Sequence, residues 1–346
     1  MRALELSYPW GTSNLRIADH PDPTPGAGQV TVRMRAVSLN FRDTLITARG
    51  GYAKGNEGSP PVVPFSDGCG IVEAVGEGVT RVAPGDRVST LFFPNWVSGH
   101  PAPEKAAGAL GSPGAPGAGR DLALFPESAV CRVPDYLTDE EVSTLPCAAL
   151  TAWRAMFVDA RLEPGETVVL QGTGGVSIFG LQFAHAAGYR TIVTSSSDEK
   201  LERARALGAT HLINYRSEPN WHRPVREATN GRGADFIMEV GGAGTLIESL
   251  KSVRMGGHIA VIGVLTDASA PPATLSPTVM IGTSARVQGV SVGSREMFEA
   301  MCRAMTLHQI RPVIDRTLPW TEAPRAIDEM ASGSHFGKIV LTFQAR

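Results

Sequence analysis

Thr167-Val168-Val169-Leu170-Gln171 leads directly into Gly172-Thr173-Gly174-Gly175-Val176-Ser177, which opens a helix-like segment ending near Gly188. This is a strand, a glycine turn and a helix N-terminus in one piece. Gly172 permits a tight turn and Gly174 lets the backbone approach a pyrophosphate. The unpaired N–H groups of the first helical turn then present partial positive charge to that anion. Ser177 stands where the third glycine of G-x-G-x-x-G belongs, so the turn is read with its surroundings. Thr191-Ile192-Val193-Thr194-Ser195, an amphipathic stretch to Leu207-Gly208, and His211-Leu212-Ile213-Asn214-Tyr215 follow as strand, helix and strand. Asp235 to Val240 and His258 to Gly263 are further short apolar runs bounded by glycine, as parallel strands buried on both faces should be. An α/β fold with a dinucleotide as ligand is expected.

Upstream the texture changes. Gln29 to Val37 alternates with period two, Gly70 to Gly76 is a second strand candidate, and Gly76-Glu77-Gly78 and Pro84-Gly85-Asp86 supply turn chemistry. This region reads as antiparallel and β-rich, with the nucleotide fold beginning near Cys147. Between Pro94 and Gly119 lies a tract of Pro, Gly and Ala, expected to be a long, partly mobile surface loop. The chain closes with a helix-like Glu296 to Thr306 and a strand candidate, Gly337 to Phe343. The simplest architecture returns that strand to the N-terminal β region.

At 346 residues two domains are expected, and 42% hydrophobic residues give ample material for their cores. A formal net charge of -2 without runs of like charge argues against nucleic acid or anionic membrane as partner. The opening residues lack the apolar core of a secretory signal, and no stretch is long enough to cross a bilayer. Four cysteines, Cys69, Cys131, Cys147 and Cys302, form no Cys-x-x-Cys pair and fit a reducing compartment, so a cytoplasmic location is expected.

Ala36 to Asp43, Gly70 to Gly76, Gly85-Asp86-Arg87-Val88, Leu145 to Trp153 and the glycine turn, taken in order, resemble the medium-chain dehydrogenase/reductase superfamily nearly end to end. Within it the chain looks most like the zinc-independent branch of quinone oxidoreductases and enoyl reductases, with Asn40-Phe41-Arg42-Asp43 the closest echo. The resemblance implies a Rossmann dinucleotide-binding domain over 147–293 and a β-rich GroES-like catalytic domain over 1–146 and 294–346. It also implies a homodimer paired through the strand at 287–292.

Zinc-dependent relatives hold a catalytic metal with two cysteines and a histidine near a glutamate. The matching positions here are Asn40, Ser66 and Cys147, with Asp67 for the glutamate. Cys147 and Asp67 are too few for a catalytic zinc, which takes three protein ligands. The eight histidines form no cluster, and no metal is expected.

Preference for NAD rests on an acid at the end of the second strand, a place held by Ser195. Ser195, Ser196 and Ser197 with Lys200 offer hydroxyls and a cation suited to a 2′-phosphate, and similar NADPH-dependent reductases add the tyrosine matched by Tyr215. NADP is favoured over NAD. Two alternatives stay open: Ser196 and Glu199 have the spacing of a capping box, and Asp198 is a candidate for the missing acid. Gly172, Thr173, Gly174, Gly175 and Val176 would hold the pyrophosphate, with Gly263, Val264, Val290 and Ser291 beside the nicotinamide; Lys338 is also counted with the coenzyme.

Without a metal, hydrogen bonds alone must polarise the substrate, which favours hydride transfer to the far carbon of an enone or quinone. By resemblance, Asn40, Tyr52, Asp67 and Thr151 line the site of this small-molecule substrate, with Asn40 near its oxygen and Tyr52 a proton source. Arg42 and Asp43 read equally as a structural ion pair, and Cys147 as a buried apolar side chain. A zinc-free alcohol or ketone oxidoreductase and a non-catalytic NADPH-binding protein are the competing readings.

Overall fold

The structure, a computed structural model of the chain, describes residues 1–50, 57–266, 271 and 275–343. Tyr52 lies outside the described residues. Two compact units are present, Met1–Leu150 together with Val292–Arg346, and Thr151–Ser291.

In the first unit the alternating segment forms the strand Gln29–Ser38, centre of a seven-stranded sheet. It pairs antiparallel with Asp67–Val75 on one side and, at its two ends, with Lys338–Thr342 and Leu122–Pro126 on the other. Its inward side chains Val30, Val32, Met34 and Val37 join Leu4, Phe65, Phe125, Ile339 and Leu341 in one core. At about 25 cal/mol per Å² of apolar surface removed from water, such burial is the main stabilising term. The final strand completes this sheet, so the first unit is built from both ends of the chain.

In the second unit six parallel strands run in the order His211–Asn214, Arg190–Ser195, Thr167–Gln171, Ala234–Glu239, Val253–Val261, Arg286–Gly289. Strand order reverses beside Thr167–Gln171, the point where doubly wound sheets bind their ligands. Among the described residues Arg286–Gly289 pairs on one side only.

The Pro94–Gly119 tract is the expected surface loop over 97–109, which is exposed or half-buried, but its end packs into the unit. It contains the helical turn Pro103–Ala106, and Leu110 and Ala118 are buried. Gly111 and Gly117 press their backbones against Pro64 and Phe65, where a Cβ at Gly117 would strike both carbonyl oxygens. Ala118 N–H donates to the Phe65 carbonyl at 2.7 Å and Gly117 N–H to Val63 at 2.9 Å. Small residues here permit backbone-to-backbone packing, which composition alone does not distinguish from a mobile linker.

Candidate active site

The glycine turn sits at the end of Thr167–Gln171, with Gly172 in the left-handed region at φ 71 and Gly174 as N-cap of the helix Gly175–Ala186. No side chain caps this helix and no acid lies in its first turn, so its N–H groups and dipole are open to an anion. Ser177, which replaces the third glycine, turns inward, and its hydroxyl donates to the Gln171 carbonyl at 2.5 Å. Close packing of helix on strand falls instead to Gly180, where a Cβ would lie 2.9 Å from Met238 Cε. The turn therefore fits a pyrophosphate despite the incomplete fingerprint.

At the end of the second strand Ser195 is buried and its Oγ accepts from Ser197 N–H at 3.3 Å. The helix Asp198–Ala206 is capped by Ser197, whose Oγ accepts from Lys200 N–H at 3.3 Å; this replaces the Ser196–Glu199 capping box expected from spacing. Asp198 accepts from Asn214 Nδ2 at 2.7 Å. Tyr215 and Val264 are exposed. Gly263 lies so close to the Val240 backbone that a Cβ would collide with it. Val290 N–H donates to the Val261 carbonyl at 2.9 Å, and the Ser291 carbonyl accepts from Arg154 at 3.1 Å. Thr151 is buried at the start of the unit.

Sequence reading missed Glu239. Its buried carboxylate accepts from Gln171 Nε2 at 2.7 Å, Gly241 N–H at 2.9 Å and Gly242 N–H at 3.0 Å, bracing two adjacent strand ends. An acid closing an apolar run before Gly-Gly was the available signal.

The first unit gathers a second polar group. Asn40 is the N-cap of the helix Phe41–Arg49, and its N–H donates to Asp43 Oδ2 at 2.8 Å. Register places Ser38 opposite both Asp67 and Val340, so the last strand begins beside residues 39 and 40. Lys338 Nζ donates to the Leu39 carbonyl and, at 2.6 Å, to Asn40 Oδ1. Asp67 accepts from the Ser66 hydroxyl at 2.6 Å and from Cys147 N–H at 2.9 Å. Cys147 lies in a π-helical turn, Leu145–Ala149. Phe65, just before Ser66 and Asp67, is buried at φ 69, a conformation costly for a residue with a side chain; the Gly111 to Gly119 backbone holds it there.

Burial pushes Asp43 up to about 6 and raises Asp67, while Arg42 and Lys338 respectively oppose those shifts. Lys338 is lowered by its own burial, with Asp67, Cys147 and Asp43 acting to keep it charged. Burial and the charge of Asp67 push the Cys147 thiol up, which suits a buried thiol and not a nucleophile. Arg42 donates to the Leu110 carbonyl and to Ser112 Oγ, both at 2.7 Å, and lies over the Phe92 ring, so the guanidinium ties this helix to the glycine-rich tract.

These side chains do not fit a catalytic zinc. Asn40 Oδ1 is engaged by an ammonium and the Ser66 hydroxyl by Asp67, so Cys147 and Asp67 remain, short of the three protein ligands a catalytic zinc takes. Among the described residues no group of three or more His, Cys, Asp or Glu side chains is placed to hold a metal.

Comparison with known proteins agrees with the fold. Residues 26–135 match the family described as alcohol dehydrogenase GroES-like domain, and 175–306 the family described as zinc-binding dehydrogenase. A zinc-type alcohol dehydrogenase-like protein of Schizosaccharomyces pombe is 42% identical over 91% of this chain and 90% of its own length. A 2-haloacrylate reductase of Burkholderia sp is 29% identical over 93% of each. Among solved structures, an NAD-dependent alcohol dehydrogenase matches with TM-score 0.87 at 30% identity over 99% of each chain. A mycobacterial protein complexed with NADPH matches at 0.79 and 28%, over 99% of this chain and 100% of the other.

Fold and relatives thus define a two-unit oxidoreductase. The chain belongs to the medium-chain dehydrogenase/reductase superfamily.

Proposed function

We propose that this oxidoreductase uses NADPH to reduce a conjugated enone or quinone without a catalytic zinc. The observation that carries the reading is the buried Asn40 amide, whose Nδ2 faces away from Lys338 and, with Asp67 on one side, keeps a hydrogen without a partner of ordinary geometry. An unmet buried donor costs about 1–3 kcal/mol, a cost removed when a substrate oxygen accepts from it. A bound nicotinamide supplies the hydride. Asn40 then stabilises the negative charge that builds on the substrate oxygen as the far carbon is reduced. Tyr52 remains our proposed proton source, on the sequence resemblance. Asp67 contributes by holding Cys147 N–H and Ser66 in place, and Thr151 by lining the substrate site.

The coenzyme would rest its pyrophosphate on Gly172 to Val176, its 2′-phosphate by Ser195, Ser196, Lys200 and Tyr215, and its nicotinamide beside Gly263, Val264, Val290 and Ser291. Engagement of Asp198 by Asn214 supports NADP over NAD. A zinc-free alcohol or ketone oxidoreductase is the second reading, favoured by the alcohol dehydrogenase relatives. The test follows NADPH oxidation with enones, quinones and aldehydes against NADP reduction with alcohols, alongside metal analysis. Faster turnover of alcohols, or one equivalent of zinc whose chelation abolishes activity, would sink the proposal.

We further propose a homodimer in the cytoplasm. The edge strand Arg286–Gly289 and exposed Val279 and Ile281 on the helix Pro277–Thr283 support a second copy. Four unpaired cysteines support a reducing compartment. No helix among the described residues is long and apolar enough to cross a membrane. Light scattering giving a single-chain mass would refute the dimer.

A further inference from the structure

We propose that Lys338 is a positioning residue for this reduction: its Nζ locks the Asn40 carboxamide with Nδ2 facing the substrate oxygen and relays positive charge to it. The inference rests on the reading above and moves Lys338 from the coenzyme to the substrate.

An amide can be turned end for end, and what surrounds it decides which way it sits. A lysine ammonium only donates, so the atom of Asn40 that faces Nζ at 2.6 Å is its oxygen, and Nδ2 must point the other way. Nδ2 lies near enough to Asp67 to lower that carboxyl, yet outside ordinary hydrogen-bond geometry. It has two hydrogens, so the Asp67 side leaves one for a ligand. The second donation from Nζ, to the Leu39 carbonyl, fixes the ammonium against the backbone immediately before Asn40. Lys338 also begins a strand in a packed sheet, and its immediate neighbour Ile339 accepts from Leu39 N–H at 3.0 Å. The group is therefore set by sheet register, which is more exact than a loop.

Donation into an amide oxygen draws electron density from the nitrogen and makes its N–H a stronger donor. Hydride addition at the far carbon of an enone moves the C=C electron pair toward the carbonyl, which gains negative charge on oxygen. The Asn40 N–H meets that charge, with the ammonium behind it. A proton at the near carbon, from solvent or a neighbouring acid, completes the saturated product; none passes through Lys338. Because the charge exists only during reaction, the effect falls on kcat and not on substrate affinity.

The test is a double-mutant cycle in the NADPH-bound enzyme, using the enone or quinone the wild type reduces fastest. Lys338→Met should lower kcat about 10- to 100-fold while KM and the NADPH Kd move less than about threefold. In an Asn40→Ala background the same change should cost less than about threefold, because the residue it acts through is gone. Should Lys338→Met fail to fold, Lys338→Gln keeps a donor without the charge and runs the same cycle. Additive effects, an unchanged kcat, or a loss confined to NADPH affinity would overturn the inference and leave the proposed function standing. A wild type that reduces no enone or quinone overturns both.

Discussion

Asn40 Oδ1 accepts a hydrogen bond from Lys338 Nζ at 2.6 Å, across 298 positions of sequence. One partner caps the first long helix and the other opens the last strand, and their meeting orients the only side chain we assign to the substrate oxygen.

Asn40→Asp follows from that contact. A carboxylate at this position would pair with Lys338 but offer the substrate no N–H. We expect kcat for the preferred enone to fall at least about 100-fold with little change in thermal stability. Steady-state kinetics beside a melting curve checks it; a variant within tenfold of wild type would remove Asn40 from the reaction.

Coenzyme choice is tested at Lys200. A charge-assisted bond to a phosphate is worth about 1.5–3 kcal/mol, so Lys200→Ala should weaken NADPH about 10- to 100-fold and leave NADH nearly untouched. Fluorescence titration with both coenzymes decides the matter. Equal loss for the two would place the lysine elsewhere.

Gly117→Ala probes the clamp on Phe65. The added methyl meets the carbonyl oxygens of Pro64 and Phe65, so backbone must shift next to Ser66 and Asp67. The expected cost is about 1–3 kcal/mol of stability together with a drop in kcat. Chemical denaturation gives the first and turnover the second; a fully active variant of unchanged stability would contradict a close-packed tract.

His258 sets a pH dependence. Arg286 Nε donates to its Nδ1 at 2.7 Å, and burial with that positive charge pushes the imidazole down to about 4. Between pH 4 and the ordinary 6.5 the unfolded chain binds more protons than the folded one, so this contribution rises with pH, is complete above 6.5 and is lost as pH falls toward 4. Urea titrations at pH 4.5 and 7 should differ less for His258→Gln than for wild type. An identical difference would show that the histidine does not titrate as argued.

Parallel strands covered on both faces leave an apolar run bounded by glycine, which is why the segments at 167, 191, 211, 235 and 258 could be read directly. Asn40 and Asp67 were named through the resemblance of their surroundings, and the structure sets them in one polar cluster. The contact of Lys338 with Asn40 was not legible, because nothing local marks that the last strand registers against Ser38 and sets its first residue beside Asn40. The end of the tract after Pro94 hid its packing for a related reason. Glycine and alanine serve a flexible linker and a tight backbone contact equally well, and only the partner, Phe65 at φ 69, tells the two apart. Ser177 likewise read as a defect in the glycine fingerprint until its hydroxyl was seen closing on Gln171.

The first sheet is finished by its latest-made piece. During synthesis the whole of Thr151–Ser291 leaves the ribosome before Lys338 does, so the second unit is fully made while the ammonium beside Asn40 is still missing. Assembly order thus leaves the polar group around Asn40 incomplete until the strand Lys338–Thr342 has emerged and docked.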